Sequence, residues 1–462
     1  MQAYHQKIAT HFNLHPYIHF NHSLESAYWV GNSSKGFWEL SISTGGHREE
    51  VIPLNGTSAH NLRRRSRITK HFEHLVVASG HLHYPKFPPW ATGNAAKEWL
   101  WNAKGRSIIH SIYFREPEEY TDKVILVVGG GASGVDIAAQ LTRHAKKVCP
   151  GLYPPLWSEM GDKTAVQVYI SFTDHGDGEP LRNGFNAIRK PRTKGFTPSS
   201  VQFEDGTEVS DVEVVFLATG YEYRFPFLDP SDPYNQPTQD IPYDRRAILT
   251  TNASANSRSE GEPRLTENHK YLFPIDRHIT SLSSFHPLNA LLFIGLQYRT
   301  IYAPCDIAQG IFAGHLISQP DRVYPTSHIT GSASWNETLA RELLLKNLTS
   351  FENRLADEGF DLYRIGHKMN LGWYTENEYQ DSLIGHLQSQ GLVPRHNRGY
   401  LFVEPWRIRA RKNTPKLLKI WKGIERRGEV EVKRWLDGVE TEDEWADLMD
   451  RLMEWGEEYG YV

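Results

Sequence analysis

Three glycines carry the first chemical signal in this 462-residue sequence. Gly129, Gly131 and Gly134 stand in the order G-x-G-x-x-G within VILVVGGGASGVDIAAQL, directly after an apolar run and at the start of a helical pattern. That context points to the pyrophosphate of a dinucleotide. The first glycine permits the tight turn, the second removes the side chain that would block the phosphates, and the third lets helix and strand approach closely. Gly130, Ala132 and Ser133 complete the turn, Ser133 adding a hydroxyl donor. The unpaired N–H groups and positive dipole end of the helix favour an anion there without a lysine. Gly129 to Gly134 are therefore expected to bind a nucleotide cofactor. A glycine turn serving packing alone is the alternative.

Other residue types narrow the chemistry. His110 titrates in the range useful for acid–base work, but a role in holding the connection between domains is the preferred reading. His81 and His83 have no third ligand at metal spacing and read as turn histidines, so no metal is expected. Tyr221, after Thr219 and Gly220, reads as a packing residue at a domain seam. With only Cys149 and Cys305, the chain has neither a disulfide framework nor a four-cysteine zinc site. A reducing, cytoplasmic setting is expected. The formal charge of −4 gives no general basic field, which argues against nucleic acid and anionic membrane as partners. No apolar run approaches the roughly 20 residues that span a bilayer. A small-molecule substrate is the expected partner.

Elements must position these residues. Ala3 to Phe12 puts Tyr4, Ile8 and Phe12 on one helical stripe. Tyr17 to Phe20, Ala27 to Val30 and Phe37 to Ile42 read as short strands, and His74 to Ser79 as a buried one. Val124 to Val128 predicts a buried strand feeding a helix over Gly134 to Ala145. Val168 to Phe172 is a further strand, Val201 to Phe203 and Glu208 to Val209 flank an Asp205-Gly206 turn, and Val214 to Ala218 is again a buried strand. Asp229 to Arg264, rich in Pro, Asp, Asn and Ser, reads as a surface excursion. Order returns at Leu291 to Leu296. Beyond about Thr330, Glu337 to Leu355 and Asp443 to Tyr459 have helical periodicity, and five tryptophans (406, 421, 435, 445, 455) mark an accessory helical layer.

Nucleotide choice depends on the end of the strand after the glycine helix. Asp174 lies there, 40 positions beyond Gly134, twice the usual separation of about 20. Removing residues 148–167 would restore a regular unit. Val148-Cys149 and Gln167 are encodable by the bases that open and close introns, so a retained intron is one reading and a genuine surface loop the other; sequencing the transcript separates them. An acidic Asp174 opposes a 2′-phosphate, whereas Arg182, Arg189, Lys190, Arg192 and Lys194 offset it.

At this point the chain resembles the flavin-containing monooxygenases, particularly the fungal and plant-like branch related to Baeyer-Villiger and N-hydroxylating enzymes. Four stretches carry the resemblance. HLVVASGHLHYPKFPPW (74–90) is similar to the strand and turn leaving the FAD domain. GRSIIHSIYFREPEEYTDK (105–123), with His110-Ser111-x-x-Phe114-Arg115, is similar to the identifying segment ahead of the NADPH glycine turn, although Gly105 lies one residue further from His110 than the pattern has it. VVFLATGYEYRFPFL (214–228) is similar to the ATGY box. LLFIGLQYRTIYAPCDIAQGIFA (291–313) is similar to the C-terminal flavin-side segment, with Asp306 where Glu is usual and Gln309 retained.

The resemblance implies an α/β, Rossmann-like flavoprotein fold with two dinucleotide-binding domains and a C-terminal helical extension. Its parts are expected at 1–115 (FAD-binding domain remnant), 116–205 (NADPH-binding domain, with the 148–167 insertion), 206–330 (return to the FAD-binding domain) and 331–462 (helical extension). Residues 1–21 resemble a segment that, in the family, follows the first glycine turn, so the FAD βαβ unit is expected to be missing. NADPH and FAD are the implied cofactors. Besides Gly129 to Gly134, the resemblance assigns cofactor contacts to Ser79, Gly80, Thr219, Gly220 and Gln309. In the family NADPH reduces FAD and the reduced flavin activates O₂ to oxygenate a soft nucleophile such as an amine or thioether. The cofactor carries the hard chemistry, so no catalytic side chain is named. A nucleotide-binding pseudoenzyme with a regulatory or assembling tail is the alternative from a non-enzyme class. A flavin-independent NADP-linked reductase has least support, since no Tyr-x-x-x-Lys pair is evident.

Overall fold

Val124–Val128 (VILVV) has no polar face, and a strand without one belongs inside a parallel sheet covered on both sides. In the computed structural model it is the centre of such a sheet. The order is Ser107–His110, Val214–Leu217, Val124–Val128, Gln167–Ser171 and Ala187–Lys190, every neighbour parallel. The structure describes residues 2–45, 66–142, 167–171, 187–228, 246–247, 265–267, 270–332, 334–371, 374–395 and 399–461. Asp174, Arg182, residues 148–166 and nearly all of the expected 229–264 excursion lie outside them.

The chain divides into two compact units, one comprising Gly80–Ile248 with Glu267–Tyr271, the other Met1–Ser79, Leu249–Thr266 and Leu272–Val462. The first contains the parallel sheet. Alternate strand residues point to opposite faces: Ile125, Val127, Ile170 and Phe216 pack with Ile137, Ala138 and Leu141 of the helix Ala132–Leu141. Leu126, Tyr169, Val215 and Leu217 pack on the other side with Trp99 of the helix Asn94–Asn102 and with Phe196, Val201 and Phe203. Those last three belong to an antiparallel sheet of Thr193–Phe196, Val201–Phe203 and Glu208–Val209, whose tight turn holds Gly206 at φ +82°.

The second unit has an antiparallel sheet of His22–Gly31, Gly36–Thr44 and Ser66–Phe72, and a second sheet ordered Ile275–Asp276, Thr280–Ser281, Leu291–Phe293, Leu75–Val77, its last pair parallel. The Trp38 indole N–H donates to the Ala290 carbonyl at 2.7 Å and joins the two. One expectation changes here, and one strand appears that the sequence pattern did not suggest. Tyr17 to Phe20 forms no strand: a short 3-10 turn, His15–Tyr17, leads into exposed chain, and Tyr17 and Phe20 are 79% and 78% exposed, so their apolar side chains find no face to cover. Ser66–Phe72 (SRITKHF), which lacks an apolar pattern, pairs along its whole length with Gly36–Thr44.

Residues 331–462 are of two kinds. Helix Glu376–Ser389 packs on helix Tyr302–Ser318, and Tyr379, Leu383 and Leu387 share the main core with Leu292, Phe312 and Leu316. Helices Thr414–Glu425 and Glu442–Glu458 instead pack on each other through Ile420, Ile424, Leu448 and Leu452, with Trp421, Trp435 and Trp455 around them. Capping boxes at Thr375/Glu378 and Thr441/Glu444 fix two of these helix starts.

Candidate functional site

The glycine turn occupies the carboxyl end of the central strand. From Val124–Val128 the chain passes to Gln167–Ser171 and Ala187–Lys190 on one side, then returns to Val214–Leu217 on the other. Such a switch point is where open α/β sheets bind ligands. Each glycine has a separate physical reason. Gly129 sits at φ +114°, and a Cβ there would lie 2.2 Å from the Ala218 carbonyl oxygen. A Cβ on Gly134 would lie 1.9 Å from the Gly129 carbonyl oxygen, so only glycine lets the helix come this near the strand. A Cβ on Gly131 would meet nothing within 4 Å. Gly130, Gly131, Ala132 and Ser133 are exposed, and Gly131 is the N-cap of the helix without a side-chain cap. The arrangement offers helix-start amides and the Ser133 hydroxyl to an anion with no side chain in between.

The segment Ala218-Thr219-Gly220 is built against this turn. Gly129 N–H donates to the Ser171 carbonyl at 2.7 Å, and Ala218 N–H to the Val128 carbonyl at 2.8 Å. Thr219 Oγ1 donates to the Lys86 carbonyl at 2.6 Å, while the Gly220 carbonyl accepts from Lys86 N–H at 3.0 Å and from His110 Nε2 at 3.0 Å. His110 Nδ1 in turn accepts from Ile112 N–H at 3.2 Å. Both ring nitrogens are thus engaged in the neutral tautomer, and burial pushes the His110 pKa down to about 4. The geometry gives His110 a holding position at Gly220. Tyr221 packs edge-on against the His110 ring at 5.3 Å, and His81 stacks on Tyr223 at 4.7 Å. Gly80 and Gly220 both use left-handed backbone, at φ +74° and +81°.

Of the basic residues expected near the ribose, Arg189 and Lys190 end the edge strand. Lys190 lies over the Phe203 ring at 5.3 Å, and Arg192 pairs with Glu204 at 3.7 Å. Lys194 is exposed on the following strand.

Ser79 and Gln309 belong to the other unit. Ser79 follows the strand Leu75–Val77, which runs parallel to Leu291–Phe293. Beyond the latter, Gly295 at φ +78° donates its N–H to Gln309 Oε1 at 2.9 Å. Gln309 Nε2 donates to the Tyr379 hydroxyl at 2.8 Å, Gln297 Nε2 donates to the same oxygen at 2.7 Å, and that hydroxyl donates to the Arg277 carbonyl at 2.8 Å. Burial holds the Tyr379 pKa well above the usual phenol range, so it remains a donor. Nothing in the spacing of Tyr379 from Gln309 announces this node. Only the i, i+4, i+8 alignment of Tyr379 with Leu383 and Leu387 in the ENEYQDSLIGHL segment hints that Tyr379 is inward.

The chain is similar to known proteins over part of its length. The model of the pyridine nucleotide-disulphide oxidoreductase family matches residues 68–253. The thiol-specific monooxygenase of Saccharomyces cerevisiae is 34% identical over 160 residues, 35% of this chain and 31% of that protein. Flavin-containing monooxygenase 3 of Homo sapiens is 27% identical over 281 residues, 50% of this chain and 48% of that protein. The chain therefore spans less than half the length of these curated relatives. Among solved structures, S-allyl-L-cysteine S-oxygenase from Allium sativum superposes with a TM-score of 0.57 at 17% identity, covering 97% of this chain and 75% of that one. The fold is the α/β fold of flavoproteins with two dinucleotide-binding units, and over part of its length the chain is similar to flavin-dependent monooxygenases.

Proposed function

We propose that the chain binds NADPH through Gly129, Gly130, Gly131, Ala132, Ser133 and Gly134, and serves a flavin-dependent monooxygenation of a soft nucleophile such as an amine or thioether. The observation carrying this reading is the contrast among the three glycines. Two are locked by contacts within the protein, whereas Gly131 faces open space at the helix start. Packing alone accounts for Gly129 and Gly134 and leaves Gly131 unexplained; a pyrophosphate accounts for all three. The preference for NADPH over NADH, and the soft-nucleophile substrate, rest on similarity to the monooxygenases.

Within this reading each part of the chain has a task. The turn amides and Ser133 hold the pyrophosphate; Thr219 and His110 keep the Ala218–Gly220 segment in place beside it. Ser79, Gly80 and Gln309 are assigned to the flavin side. FAD, when bound, supplies the electron acceptor and the oxygen-activating chemistry, and the protein's part is to orient the cofactors and exclude water.

The test is a visible spectrum of the purified protein together with titrations of NADPH and NADH followed by fluorescence. A stoichiometric flavin band with tighter NADPH binding supports the oxygenase reading. A colourless protein that binds NADPH supports a nucleotide-binding protein without oxygenase activity. A folded protein that binds neither nucleotide removes the reading altogether.

A further inference from the structure

The turn from Gly295 to Ile301 lies at the carboxyl end of Leu291–Phe293 and leads into helix Tyr302–Ser318. Two side chains from one face of helix Glu376–Ser389 hold it. Tyr379 does so through its hydroxyl, which accepts from Gln297 and Gln309 and donates to the Arg277 carbonyl. Gln309, so fixed, presents Oε1 to the Gly295 N–H. Glu376, three residues earlier and only 3% exposed, accepts the Ile301 N–H at 2.8 Å with Oε2, while its Oε1 pairs with Arg411 Nε at 3.0 Å. Ile301 is the N-cap of helix Tyr302–Ser318, so its backbone lies where helix ends need an outside acceptor. The turn is thus pinned at both ends, at Gly295 through Gln309 and at Ile301 directly.

The enclosed side chains are not fully satisfied by the protein. Asp306 Oδ1 and Gln297 Oε1 are buried acceptors without a hydrogen-bond partner. A Cβ on Gly295 would lie 3.6 Å from that Asp306 oxygen, which places the orphan acceptor against the pinned turn. Buried acceptors left without donors are costly unless a ligand or water meets them. Their location, at the carboxyl ends of two parallel strands, suits a donor-bearing ligand.

We infer that Tyr379 and Glu376 are positioning residues that hold the Gly295–Ile301 turn in the form that receives FAD. The inference rests on the flavin-dependent reading for its ligand, and on the hydrogen bonds alone for the clamp. It makes the helix Glu376–Ser389 a support of the cofactor-binding unit, which would act on a bound flavin through Gln309 and the turn.

The test compares Tyr379→Phe with the unaltered chain. The substitution keeps the ring and its packing and removes one oxygen. Tyr324→Phe serves as control, because its hydroxyl is equally buried and bonds Asp276. Hydrogen exchange of the peptide covering residues 295–301 is read first, then FAD affinity by flavin fluorescence. Tyr379→Phe is expected to speed exchange in that peptide roughly tenfold and to weaken FAD by a similar factor, with Tyr324→Phe leaving both near the parent values. Unchanged exchange in Tyr379→Phe overturns the clamp. A parent chain that binds FAD with the same affinity as Tyr379→Phe overturns the positioning role and leaves the flavin reading intact. A parent chain that binds no FAD overturns the flavin reading, and with it the purpose assigned to the turn.

Discussion

The carbonyl oxygen of Ala218 lies 2.2 Å from the point a Cβ on Gly129 would occupy, so two motifs 89 positions apart in the chain share one steric constraint. Gly131, two residues on, shares none. The three glycines should consequently separate by experiment. Gly129→Ala combines a positive φ with a backbone clash and is expected to cost on the order of 3 kcal/mol or more of stability. Gly131→Ala should cost about 1 kcal/mol or less, since the position is an open N-cap at φ −75°. Yet Gly131→Ala should weaken NADPH at least about tenfold, because a methyl group stands where the phosphates approach. Thermal unfolding and nucleotide titration on the same samples check both halves. A Gly131→Ala protein with parental affinity would refute the assignment.

The glycine unit was legible because each residue in it is determined locally. VILVV predicts Val124–Val128 to the residue, and the Asp205-Gly206 turn predicts its hairpin. Legibility failed where tertiary contact decides. Ser66–Phe72 is a strand because Gly36–Thr44 offers it a ladder, and its polar sequence shows that β structure follows context. Tyr17–Phe20 has strand-forming residues and no partner. Ala187–Lys190 is too short to give a pattern. At the site, the helix-start anion cradle could be read directly, whereas the Tyr379–Gln309 hydrogen bond joins residues 70 apart with no local signature.

Acid should destabilise the protein through its buried neutral histidines. His110, His278 and His286 have folded pKa values pushed to about 4 by burial, below the ordinary 6.5. The unfolded chain then binds more protons between those values, so the stability each contributes is present above about pH 6.5 and is lost as pH falls toward 4. The loss should be on the order of 1 to 3 kcal/mol per histidine. Urea unfolding at pH 7.5, 6.0 and 5.0 measures the slope. His110→Gln should flatten it by about one histidine's share; an unaltered slope would show that His110 does not titrate on unfolding.

Arg341 tests a buried charge. It is 6% exposed, donates to the His286 carbonyl at 2.8 Å and to Glu337 at 2.9 Å, and Glu337 accepts the Leu288 N–H at 2.7 Å. Arg341→Met leaves a half-buried carboxylate unpaired and should cost about 3 to 5 kcal/mol. Adding Glu337→Gln removes the charge while keeping an acceptor for Leu288, so the double variant should be more stable than Arg341→Met alone. A double-mutant cycle by chemical denaturation gives the coupling, and simple additivity would contradict an interaction between the two residues.

The tail should unfold by itself. Ile424 and Leu452 are at most 3% exposed, but among the described residues the cluster they share has only Ile420 and Leu448 as further fully buried members. Ile424→Ala should remove about 2 to 5 kcal/mol of local packing. A cluster this small holds little in reserve, and the loss should appear as opening of Thr414–Glu425 and Glu442–Glu458, not of the whole chain. Hydrogen exchange should rise in those two helices while Val124–Val128 stays protected and NADPH affinity is unchanged. Arg411, which pairs with Glu376, lies on the helix Pro405–Lys412 that contacts both tail helices, so exchange at Ile301 is the sensitive readout of how far the opening spreads. If Ile424→Ala lowered nucleotide affinity, the helices beyond Thr414 would have to be counted as support for the glycine turn, and the separation of the tail from the nucleotide site would fail.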